Sequence, residues 1–141
     1  MTTVHPTAIV EDGAQLAANV EVGPYAVIGS AVRIGPGTHI GAHAMTGAGT
    51  TLLQDLPPFV ICNGNPAHPH GVNVEGLRRR GFSAEDIGAL RRGYKALYKD
   101  GNTVAAAAQA LDALAAESPE AAGHLQALRD FAVASKRGIT R

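Results

Sequence analysis

Val22-Gly23-Pro24-Tyr25-Ala26-Val27-Ile28-Gly29-Ser30-Ala31-Val32-Arg33-Ile34-Gly35-Pro36-Gly37-Thr38-His39-Ile40 is one length of a pattern that decides the fold. It divides into sixes. Counted from Val4, the first residues of the sixes are Val4, Val10, Leu16, Val22, Ile28, Ile34, Ile40, Thr46, Leu52 and Pro58. The fifth residues are Ala8, Ala14, Val20, Ala26, Val32, Thr38, Ala44, Thr50, Leu56 and Cys62. An aliphatic residue thus recurs at every sixth place, with a small or β-branched one four places on. Thr46 and Pro58 depart from the first rule, and Leu56 and Cys62 from the second. A period held this long marks a repeat architecture, in which no single unit buries its own apolar face.

The fifth residue of one six and the first of the next are two apart, so on an extended chain they point the same way. Thr38 and Ile40 form such an inward pair, with His39 pointing outward between them. The second and fourth places are rich in glycine, which suits corners at positive φ. Each unit is then a short strand and a corner. Three units close a triangular coil, and coils stack by parallel pairing, so every eighteenth residue lies over its predecessor. Val4, Val22 and Ile40 form one column, and Leu16, Ile34 and Leu52 another. The spacing predicts a parallel β-helix of a little over three coils across residues 1–63. That is close to the minimum for a repeat fold. Its open ends are also edges. Cover from the rest of the chain and from further copies is expected.

The regular pattern ends at Asp55-Leu56-Pro57-Pro58-Phe59. Gly64-Asn65-Pro66 and Pro69-His70-Gly71 predict an exit loop over 64–72. From Asn73 the period turns helical, giving an α-helical domain over 73–141. Asn73 opens a short helix that Gly81 stops. Ser83 and Asp86 form a capping-box pattern for the next. There Ile87, Leu90, Tyr94, Leu97 and Tyr98 share one face, while Arg91, Arg92, Lys95 and Lys99 face water. Thr103 starts an Ala-rich helix. Ser118-Pro119 reads as a cap with Pro at the first helical position, and Gly138 as the end of the last helix.

Composition narrows the classes. With 12 basic and 12 acidic residues the formal net charge is zero, which invites neither nucleic acid nor an anionic membrane. No apolar run is long enough to span a bilayer, and the start lacks the basic and apolar regions of a secretory signal. One cysteine, Cys62, precludes an internal disulfide. It occupies an inward place and is expected to pack. A trimeric β-helix zinc site needs three converging histidines. His39 and His43 lie four apart across a corner with no third partner in pattern, so no metal and no cofactor are expected.

Several segments together resemble one family. His5-Pro6-Thr7-Ala8 precedes the repeats. The exit reads Gln54-Asp55-Leu56-Pro57-Pro58-Phe59-Val60-Ile61. Gly64-Asn65-Pro66 is followed by Gly71-Val72-Asn73-Val74-Glu75-Gly76-Leu77-Arg78-Arg79-Arg80-Gly81-Phe82, the most specific of them. Tyr94-Lys95 and Arg137-Gly138-Ile139 complete the set. These resemble the UDP-N-acetylglucosamine O-acyltransferases of lipid A biosynthesis. The resemblance implies left-handed coils, a homotrimer and a cytoplasmic location. It implies transfer of a 3-hydroxyacyl group from acyl carrier protein to the 3-hydroxyl of UDP-N-acetylglucosamine. His43 corresponds to a family histidine near the substrate, and Asn73, Glu75, Arg79 and Arg80 to contacts with its UDP part. Read from the residues alone, Arg78, Arg79 and Arg80 are a solvated helix face paired with Glu75.

The family's middle is missing. Residues about 4–40 resemble its start and about 40–141 its end, giving roughly half the usual length. The family's general base lies in an Ile-Ala-His-Asp segment. None of His5, His39, His43, His68, His70 and His124 is followed by Asp, so no catalytic residue is carried over. The register nevertheless runs from Ile34 through Ile40 to Thr46 without a slip. Chance would keep that phase about one time in six, and a slip re-aims every side chain. Coil geometry was therefore kept, by selection or by a designer, and the expectation is an engineered miniature: a trimeric, non-catalytic β-helix. The alternative is a working acyltransferase of reduced size.

Overall fold

A computed structural model describes all 141 residues, in two compact units. The first comprises Met1–Asn73 with Lys136–Arg141, and the second Val74–Ser135.

The first unit is the β-helix. Nine two-residue strands follow one another at six-residue intervals: β1 (Thr3–Val4), β2 (Ile9–Val10), β3 (Gln15–Leu16), β4 (Glu21–Val22), β5 (Val27–Ile28), β6 (Arg33–Ile34), β7 (His39–Ile40), β8 (Met45–Thr46) and β9 (Thr51–Leu52). They stack in three parallel ladders, β1-β4-β7, β2-β5-β8 and β3-β6-β9. Val4 pairs with Val22 and Val22 with Ile40, while Leu16 pairs with Ile34 and Ile34 with Leu52, as the eighteen-residue period requires. Val20, Ile28, Val32 and Leu52 are fully buried. Threonine substitutes for an aliphatic residue where its hydroxyl finds backbone. Thr38 Oγ1 donates to Gly35 O at 2.8 Å, Thr50 Oγ1 donates to Gly47 O at 2.6 Å, and Thr46 Oγ1 accepts from Gly29 N at 3.3 Å.

The last coil is shorter than its predecessors. Leu56 lies on Ile40 and Cys62 on Thr46, so the step is sixteen residues (56 − 40 and 62 − 46). An even slip keeps the inward and outward alternation. Leu56 and Cys62, which break the rule for fifth places, therefore occupy first-place columns.

The two kinds of glycine differ. Positive φ recurs at the fourth place of the sixes, at Gly13, Asn19, Tyr25, Ala31, Gly37, His43 and Gly49. The second-place glycines have ordinary φ, contrary to the expectation for corners; they are needed for close approach. A Cβ on Gly29 would lie 2.8 Å from Thr46 O, and one on Gly23 3.0 Å from Ile40 O.

Each ladder is closed at its C-terminal edge by a different device. β10 (Val60–Asn63) pairs in parallel with β8 and antiparallel with β11 (His68–Val72), so the expected exit loop over 64–72 is partly strand. Gly64 O accepts from Thr51 N, and Ala67 N donates to Thr51 O, across the end of β9. The final residues cover the remaining ladder, β1-β4-β7, over Asp55 and Leu56, the latter bridged to Ile40 of β7. Ile139 bridges Asp55, Thr140 N donates to Asp55 O at 2.7 Å, and the Arg137 guanidinium donates to Pro36 O and Leu53 O. Residues 136–141 thus lie with the β-helix, whereas the sequence places them in the helical domain.

The second unit holds α1 (Val74–Arg79), α2 (Ala84–Tyr98), α3 (Val104–Glu117), a 3₁₀ turn (Pro119–Ala121) and α4 (Ala122–Ala134). Ser83 caps α2 by accepting from Asp86 N at 3.0 Å, and Ser83 N donates in turn to Asp86 Oδ2 at 3.4 Å. Thr103 caps α3. Ser118 makes no side-chain cap, and Pro119 opens a 3₁₀ turn in place of an α-helix. α4 ends at Ala134, ahead of Gly138. Leu90, Leu97, Leu111, Leu125 and Leu128 form the core. Gly93 admits them: a Cβ there would sit 2.9 Å from Leu111 Cδ2 and 3.1 Å from Leu125 Cδ2.

Candidate functional site

His43 occupies a corner with φ 60°, directly above Tyr25 (φ 59°) and below Phe59 (φ 71°). Stacked coils set these three corners over one another, eighteen and then sixteen residues apart. The imidazole is sandwiched between the rings, with centroids 5.2 Å from Tyr25 and 5.9 Å from Phe59, both stacked. Its backbone is fixed as well, His43 N donating to Pro24 O at 2.9 Å.

Asn73 joins this corner. It is 5 % exposed. Its Nδ2 donates to His43 O at 3.0 Å, and its backbone N–H donates to Phe59 O at 2.7 Å. The structure thus brings together two of the five expected site residues, His43 and Asn73, and directs the Asn73 amide group at backbone. The other three lie on or next to α1 in the second unit. Glu75 pairs with Arg78 at 2.9 Å across one helical turn, and both are exposed. Arg79 and Arg80 are exposed at the helix end.

The remaining histidines have other surroundings. His39 Nε2 lies 3.2 Å from Glu21 Oε2, and Nδ1 lies 3.7 Å from Oδ1 of buried Asp55, which also accepts His39 N–H at 2.9 Å. His5 Nδ1 meets Thr7 Oγ1 at 2.8 Å. His68 Nδ1 lies 2.9 Å from Arg141 O. His124 packs on Phe82 with centroids 4.5 Å apart. No group of three or more His, Cys, Asp or Glu is disposed to hold a metal ion. Cys62 is fully buried, and burial pushes its thiol up from 9.0 to about 12. Only the thiolate is a strong nucleophile, so this thiol is inert near neutrality. Burial also raises the Tyr94 phenol.

Sequence reading missed the Tyr25–His43–Phe59 column and the Glu21–His39–Asp55 cluster. The first steps, Tyr25 to His43 and Glu21 to His39, were available in the eighteen-residue period. The second steps, to Phe59 and Asp55, depend on the two-residue shortening.

Residues 55–140 match the profile of UDP N-acetylglucosamine O-acyltransferase, domain 2. The chain belongs to the UDP-N-acetylglucosamine O-acyltransferase family. Residues 13–48 separately match the six-repeat hexapeptide of bacterial transferases. Among curated family members, the acyl-[acyl-carrier-protein]–UDP-N-acetylglucosamine O-acyltransferase of Burkholderia orbicola is 48 % identical over 133 residues, covering 94 % of this chain and 51 % of its own. That of Burkholderia ambifaria is 51 % identical, with the same coverage. Among solved structures, LpxA from Acinetobacter baumannii superposes with a TM-score of 0.90 at 34 % identity, over 99 % of this chain and 53 % of the other. The Moraxella catarrhalis enzyme gives 0.89 at 29 % identity, over 96 % and 51 %. The chain spans about half the length of the curated family members it matches.

Proposed function

We propose that this chain is a shortened member of the lipid A acyltransferase family that self-assembles but does not transfer acyl groups. The observation that carries the reading is the placement of its histidines. A sugar hydroxyl is a poor nucleophile at neutral pH and needs a base within hydrogen-bond reach. His43 corresponds to a family histidine near the substrate and not to the general base; stacking on Tyr25 and Phe59 orients its ring. No histidine carries the Asp that follows the family's general base. An engineered removal of whole coils accounts for the unbroken register.

Family correspondence puts His43 near the substrate and assigns Asn73, Glu75, Arg79 and Arg80 to contacts with the UDP part of UDP-N-acetylglucosamine. Arg is suited to paired hydrogen bonds with phosphate. Acyl carrier protein belongs to the reaction of the full-length relatives. A cytoplasmic location follows from that pathway; no helix is long and apolar enough to cross a membrane.

Self-assembly as a homotrimer is supported by the outward face of one ladder. Ile9, Val27, Met45 and Ile61 lie in register on the outside of β2, β5, β8 and β10. The other two ladders present Thr3, Glu21 and His39, and Gln15, Arg33 and Thr51. An apolar stripe on one face of three is what a closed ring of copies would bury.

The test is an acyl-transfer assay with a 3-hydroxyacyl carrier protein and UDP-N-acetylglucosamine, beside a full-length relative. Loss of a general base typically costs about 10²–10⁴ in rate, so a deficit of at least that size is expected. A rate within about tenfold of the relative would overturn the proposal and establish the smaller working enzyme.

A further inference from the structure

We draw no further inference here: the strongest candidate, an open cleft of about 490 Å³ in the helical unit between the start of α2 and the 3₁₀ turn, is a cluster of acidic residues (Glu85, Asp86, Glu117 and Glu120) around Arg92 with no second feature that points to a ligand.

Discussion

His43 shows how much backbone this fold demands of single residues. A left-handed conformation costs a residue other than glycine about 1–2 kcal/mol, yet His43, Tyr25 and Phe59 all adopt it. Replacing His43 separates strain from stacking. His43→Val should be less stable than His43→Gly by about 1 kcal/mol in urea melts, because both lose the stack while valine adds branching at positive φ. Equal stabilities would mean the corner relaxes. The second-place glycines respond to a different cause. Gly29→Ala would press a Cβ on Thr46 O and should cost roughly 1–3 kcal/mol. Gly35→Ala meets the movable end of the Leu53 side chain at 3.2 Å and backbone no closer than 3.7 Å, and should cost less. The sequence shows where glycine recurs but not why, since both kinds of glycine look alike until the next coil is laid on top.

Cys62 makes a prediction of the same scale. Its folded thiol titrates near 12 against an ordinary 9.0, so the folded chain keeps a proton that the unfolded chain releases. Stability should therefore fall as pH rises from about 9 towards 12, and less so in Cys62→Ala, once the fixed loss from the smaller side chain is subtracted. At pH 8 the native thiol should resist iodoacetamide while the urea-unfolded chain reacts. Rapid native alkylation would place Cys62 outside the core.

At the scale of elements, local chemistry and tertiary context divide the outcome. The starts of α2 and α3 were legible because Ser83 and Thr103 satisfy orphan amides with their own hydroxyls. Ser83→Ala should destabilise the helical unit by about 1 kcal/mol. Gly93→Val should do far more, because it drives a branched side chain into Leu111, Leu125 and Leu128. The C-terminal strap was not legible. Gly138 reads as a helix stop, and nothing local says that Ile139 pairs with Asp55, 84 residues earlier (139 − 55). Arg137 holds two consecutive corners through Pro36 O and Leu53 O. Arg137→Ala should raise hydrogen exchange in residues 51–56 while leaving β1–β3 unchanged. The shortened last coil was illegible for a similar reason: Leu56 and Cys62 look like exceptions until they are stacked on Ile40 and Thr46.

For the whole molecule, the period is the physical content of the sequence. The coil register implies that an extra coil is tolerated when it keeps the inward and outward alternation of the columns. Insertion of eighteen residues of matching pattern between Ile34 and Ile40 should preserve a cooperative melt; seventeen should abolish it, since an odd slip turns the aliphatic columns outward. The candidate site was half legible at this scale. Spacing brings His43 over Tyr25, but the tie from Asn73 to His43 O depends on the path of the exit strands β10 and β11. We propose that so short a β-helix, with an apolar stripe of Ile9, Val27, Met45 and Ile61 along one face, is stable only among copies of itself. Light scattering at micromolar concentration tests that most directly. The expected molar mass is three times the 14.5 kDa chain, with one cooperative melt whose midpoint rises with protein concentration. A folded 14.5 kDa monomer with a concentration-independent melt would contradict it.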